Sequence, residues 1–131
     1  MITGTINKPL LYLFLLVLMT ASCQSTAQQE GGFKDLTVGE FEAKMAEEGV
    51  VVLDVRTPGE TAEGMIEGAK EIDFRAEDFQ AQLEQLDKDA TYVVYCRSGG
   101  RSASACSIMQ EMGFKDVYNL VGGYQRWSAE H

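Results

Sequence analysis

The sequence predicts an α/β domain in which a parallel sheet carries helices on both faces. Two observations lead there. The apolar runs Val50–Val55 (VVVLDV) and Thr91–Tyr95 (TYVVY) lack the alternation of a half-exposed strand and read as strands buried on both faces. Stretches with helical spacing of apolar residues separate and follow these runs, so strands and helices alternate along the chain.

The elements follow in order from Phe33. Thr37 can cap a helix, Glu40 completes a capping box, and Leu36 with Phe41 forms a hydrophobic staple. This helix carries Val38, Phe41 and Met45 on one side and is expected to stop at Gly49. The strand Val50–Val55 comes next, broken only by Asp54. After the turn-rich RTPGETAEG, a weak strand is expected near Glu71–Phe74, then a helix with Phe79, Leu83 and Leu86 on its inner side. Thr91–Tyr95 is the next strand, and a helix from about Arg101 to Met112 ends at Gly113. Val117–Leu120 is a short last strand, and Gly122-Gly123 leads into a final helix holding Trp127. No internal repeat is visible, and one domain is expected over 33–131.

The first 32 residues read differently. Lys8, the apolar run Leu10–Met19 and the small residues Thr20, Ala21 and Ser22 form the pattern of an export signal over residues 1–22. At ~1.5 Å per residue the run reaches roughly 15 Å, about half the hydrocarbon thickness of a bilayer, so a spanning helix is the poorer reading. Thr20-Ala21-Ser22-Cys23 resembles a bacterial lipobox, with Thr20 where Leu is preferred, and implies lipidation at Cys23; cleavage after Ala27 is the alternative. Residues 23–32 read as a flexible tether to a membrane. The expectation is an exported protein, periplasmic or anchored to the outer membrane of a bacterium, that touches the membrane only through a lipid.

The chain carries 11 basic and 20 acidic residues, a formal net charge of −9, and losing residues 1–23 would remove one more cation, Lys8, and no acid. That surface argues against nucleic acid as a partner. A monomer is expected. His131 is the single histidine, so neither a metal cluster nor a Cys–His dyad has support, and no cofactor is expected.

The stretch Tyr95–Ser102 (YCRSGGRS) puts Cys96 at the carboxyl end of a central strand, the edge where open α/β sheets bind ligands. Gly99 and Gly100 let the backbone curl so that successive N–H groups converge, and the next helix adds positive charge at its N-terminus. Arg97 and Arg101 add full charges. All of these favour thiolate over thiol. A thiol of pKa about 8.5 is only about 3% ionised at pH 7, and lowering it to about 7 ionises about half.

Together with LDVRTPGE (Leu53–Glu60), ASACSIMQEMGF and NLVGGYQRW (Asn119–Trp127), this loop resembles the single-domain rhodaneses, which handle the sulfane sulfur of thiosulfate or polysulfide. The resemblance implies a five-stranded sheet wrapped by helices. It implies Cys96 as the nucleophile and Arg97, Ser98, Gly99, Gly100, Arg101 and Ser102 as the active-site loop. The implied reaction forms a persulfide on Cys96 from thiosulfate or polysulfide and passes the outer sulfur to a thiol acceptor; a carrier or partner-binding module without free turnover is the alternative. Where the family often reads Gly-His-Ile-Pro-Gly-Ala, this chain has Gly64-Met65-Ile66-Glu67-Gly68-Ala69, so that segment supplies no imidazole. Cysteine phosphatases and arsenate reductases use a longer loop, with arginine six places after the cysteine; Ser102 stands there, and Arg101 comes one residue early.

The remaining residues have mainly structural expectations. Asp54 and Arg56 lie near the same sheet edge, Asp54 to hold the cysteine loop by accepting backbone hydrogen bonds and Arg56 to pair with Glu60. Arg101 either steers an anionic donor or points inward to brace the loop. Cys106 reads as a small buried residue about 8 Å along the helix from the loop, beyond disulfide reach; a resolving cysteine is the other reading. Trp127 is expected in the core, with the entrance as the alternative.

Overall fold

A computed structural model describes residues 32–131. The expected signal over 1–22, Cys23 and all but the last residue of the tether lie outside the described residues. The strands are β1 (Lys34–Leu36), β2 (Val50–Asp54), β3 (Lys70–Glu71), β4 (Thr91–Tyr95) and β5 (Asp116–Leu120). The helices are α1 (Val38–Met45), α2 (Pro58–Thr61), α3 (Phe79–Glu84), α4 (Gly100–Glu111) and α5 (Gly123–Glu130). The strands form one sheet in the order β1-β5-β4-β2-β3, and every pairing is parallel.

Side chains alternate through the sheet and define two cores. Leu53, Tyr92, Val94 and Val117 face one way, under α3 and α4, and meet Phe79, Leu83, Ala105 and Met109. Leu36, Val52, Val93, Tyr95 and Leu120 face the other, with Phe41 of α1 and the partly buried Tyr124 and Trp127 of α5. Helices thus cover both faces, as the unbroken apolar strands require. Phe41 is fully buried, a burial worth about 1.5–3 kcal/mol. Its ring meets Tyr95 and Trp127 edge-on at 6.3 and 6.1 Å, so Trp127 belongs to this core.

Thr37 caps α1 as expected. Its hydroxyl accepts from the Glu40 amide at 3.3 Å, and the Glu40 carboxylate accepts from the Thr37 amide at 2.9 Å. Several expectations need correction. α1 ends at Met45, with Ala46 as its cap, short of Gly49. The third strand is only Lys70–Glu71; Ile72 and Phe74 continue beside β2 through single bonds to the carbonyls of Asp54 and Val55. Two elements were not foreseen: β1, which buries only Leu36, and α2, a single turn capped by Thr57 and Glu60.

Candidate active site

Cys96 follows directly on β4, whose neighbours β2 and β5 flank it, so the cysteine leaves the middle of the sheet at its carboxyl edge. The chain then turns through Arg97 and Ser98 to Gly99, whose φ of 106° is open only to glycine, and enters α4 at Gly100. This turn brings donors onto the sulfur. The Gly99 amide donates to Cys96 Sγ at 3.1 Å, and the Ser102 hydroxyl lies 3.3 Å from it. The residue is only 1% exposed, so the sulfur sits on the floor of a polar cradle.

Burial by itself pushes the Cys96 thiol up. The Ser102 hydroxyl and the amides of Ser102, Gly99 and Ser98 outweigh it, and the thiol lies below its ordinary value. The pull toward thiolate therefore comes mainly from amides and a hydroxyl. Of the two guanidinium groups offered as part of the cause, Arg101 is near enough to interact with the Cys96 charge, but a carboxylate shares it. Arg97 is exposed. Arg101 donates to both carboxylate oxygens of Glu60, at 2.8 and 2.7 Å, and this pair holds Glu60 well below the usual carboxylate range. Arg101 is thus held in place by Glu60 and is not a free cation.

The Ser102 hydroxyl has one proton and two acceptors in reach, Sγ and the Gly99 carbonyl at 3.1 Å. Beside a thiol it can donate to the carbonyl; beside a thiolate it turns to the sulfur. Ser102→Ala removes the first of the groups that oppose burial. Its activity at neutral pH is expected to fall several-fold and to recover as pH rises, because the thiolate then forms only at higher pH. A pH–rate profile with an unmoved lower limb would contradict this.

The loop is clamped from behind by α5. The Tyr124 amide donates to the Cys96 carbonyl at 2.8 Å and the Gln125 amide to the Arg97 carbonyl at 3.0 Å. Gly123 (φ 57°) lets the helix come this close. The sequence shows Gly122 and Gly123 only as the entry to a last helix; that this helix holds the cysteine loop emerges from the fold.

Asp54 and Arg56 are also placed differently from expectation. Asp54 bonds no residue of the cysteine loop: it accepts from the Arg56 amide, Nε and Nη2 at 2.7–3.1 Å. Arg56 pairs with Asp54, leaving Glu60 to Arg101, since its side chain runs back into the sheet and stacks 4.1 Å from the Tyr124 ring. Arg56 Nη2 also donates to the Gly64 carbonyl at 2.6 Å, and the Ile66 amide donates to the Tyr95 hydroxyl at 3.0 Å. These bonds fix the Gly64–Ala69 segment against the sheet. Cys106 is a free, fully buried thiol whose burial pushes it up, which agrees with a core residue.

The pattern for the rhodanese-like domain matches residues 37–130. The Bacillus subtilis protein YtwF is 42% identical over 98 residues, covering 74% of this chain and 92% of its own. The thiosulfate sulfurtransferase GlpE of Pseudomonas putida is 39% identical over 85 residues, 64% of this chain and 74% of its own. Among solved structures, a rhodanese-like domain protein from Staphylococcus aureus superposes with a TM-score of 0.65 at 32% identity, covering 72% of this chain and 91% of that one.

Proposed function

The chain belongs to the rhodanese-like family, whose curated members similar to it include sulfurtransferases, and from that membership we propose that it moves sulfane sulfur through a persulfide on Cys96. The observation that carries this reading is the cradle at Sγ, with the Gly99 amide at 3.1 Å and the Ser102 hydroxyl at 3.3 Å. In the first half-reaction the Cys96 thiolate attacks the outer sulfur of thiosulfate. A new Sγ–S bond replaces the bond from that sulfur to the sulfonate group, whose electron pair leaves with sulfite. The persulfide keeps the single negative charge, and the donors that favour a thiolate favour it too. A polysulfide donor reacts alike and leaves as a shortened chain. In the second half a thiolate, or cyanide in an assay, attacks the outer sulfur and returns Cys96 as thiolate. The short Cys96–Arg101 loop favours sulfur over phosphoryl transfer, since its arginine comes one residue before the position a phosphatase requires.

Export, with a lipid on Cys23, belongs to the same proposal and rests on Lys8, the run Leu10–Met19 and the lipobox-like Thr20–Cys23.

The test is thiosulfate:cyanide sulfurtransferase assay of the protein beside its Cys96→Ala variant. The wild type is expected to turn over and the variant to lose activity entirely. Retention of a persulfide on Cys96 without turnover would replace the enzyme reading with that of a carrier. Phosphatase turnover lost in Cys96→Ala would overturn both.

A further inference from the structure

The sequence offers Arg97 and Arg101 as the cations beside Cys96, but Arg101 is held in a two-pronged bond by Glu60. We infer that Arg126 takes its place and that Arg97 and Arg126 form a two-guanidinium rim selecting dianionic sulfur donors over neutral ones, a role that rests on Cys96 being the sulfur-transfer nucleophile.

The placement follows from how α5 docks. Tyr124 and Gln125 donate to the carbonyls of Cys96 and Arg97, so the next residue along the helix, Arg126, starts beside the loop. Its aliphatic stem lies over Gly122: a Cβ there would stand 2.9 Å from Arg126 Cβ and 3.0 Å from Cδ. The Gly122 amide nitrogen is in turn 3.3 Å from where a Cβ on Gly99 would stand, and Gly99 is the residue whose amide reaches Sγ. The stem of Arg126 is thus separated from the cradle by one glycine.

Arg126 is also uncommitted. Its side chain is 61% exposed, and its ionic partner among the described residues is Glu130 at 3.9 Å, itself 52% exposed. A charge-assisted hydrogen bond is shorter, about 2.7–2.9 Å, and exposed pairs of this kind hold weakly. Arg97 is exposed and has no ionic partner among the described residues. In a chain of net charge −9, these two groups are uncommitted positive charge on residues in or next to the cysteine loop. The guanidinium fork matches the oxygens of a sulfonate group, so the non-reacting end of thiosulfate can be held while its outer sulfur reaches Cys96. A neutral donor such as a dialkyl trisulfide presents nothing for this rim to hold.

The experiment measures kcat/KM of the wild type, R126Q and R126E with thiosulfate and with a dialkyl trisulfide, using cyanide as acceptor throughout. The thiosulfate-to-trisulfide ratio is expected to fall about fivefold in R126Q, through KM, and further in R126E, as loss and then reversal of one charge near a dianion requires. The dependence of the thiosulfate rate on ionic strength is expected to flatten in parallel. An unchanged ratio, an equal loss with both donors, or an equal fall in R126Q and R126E would overturn the inference while leaving sulfur transfer intact. A wild type that uses neither donor would instead overturn the sulfurtransferase reading on which it rests.

Discussion

Gly123→Ala is expected to cut sulfurtransferase activity by about a hundredfold or more, the loss that follows when a reacting group moves by about 1 Å. A Cβ at this position would stand 2.5 Å from the Cys96 carbonyl oxygen and 2.6 Å from both the carbonyl carbon and oxygen of Arg97. These are backbone atoms, so no rotamer change relieves the overlap. The residue also holds φ 57°, where a side chain costs roughly 1–2 kcal/mol. Either α5 backs away and gives up its bonds to the Cys96 and Arg97 carbonyls, or the loop shifts and takes Sγ from its donors. The measurement is kcat/KM, with a thermal melt to confirm that the variant is folded. A folded variant with wild-type activity would show that the clamp does not set the loop.

This dependence on Gly123 also shows where sequence reading reached its limit. The cysteine loop was legible because its cues are local: a β-rich run ending in Cys96, two glycines, then a helical pattern. The capping of α1 by Thr37 and Glu40 was legible for the same reason. What escaped depends on segments far apart in the chain. The Glu60–Arg101 pair joins two helices 41 residues apart, so charge spacing alone favoured the nearer Arg56 as the partner of Glu60. Thr57 and Glu60 did carry a signal, since their spacing is that of a capping box and places Glu60 on a helix at the sheet's carboxyl edge. β1 had no such signal: with three residues and one buried side chain, its pairing with β5 is a matter of tertiary structure alone.

Arg56→Leu is expected to destabilise the protein by about 3–5 kcal/mol, because it leaves the Asp54 carboxylate buried without its cation. Against a typical total of about 5–15 kcal/mol, a loss of that size removes much of the folded state's margin. The Asp54 and Arg56 side chains are 0% and 4% exposed, so water cannot replace the lost partner. The Gly64 carbonyl loses its donor at the same time. Lysine at 56 is not expected to restore the loss, since a single ammonium group cannot supply both Nε and Nη2 donors to the carboxylate. Removing both charges, in Asp54→Leu with Arg56→Leu, is expected to cost less than Arg56→Leu alone, because no uncompensated charge remains. Urea denaturation of the single and double variants checks this, and a single-variant cost below about 1 kcal/mol would refute the assignment.

The pairing of β1 with β5 has a consequence for synthesis. Lys34, Asp35 and Leu36 find their partners only at Tyr118, Asn119 and Leu120. A ribosome must therefore release the chain through Leu120 before β1 can be seated. Until then β4 lacks its β5 neighbour and shows a row of unpaired, Val- and Tyr-rich backbone, the kind of exposed border that invites self-association. Messages truncated upstream of Asp116 should accordingly yield insoluble fragments rather than smaller working versions of the protein.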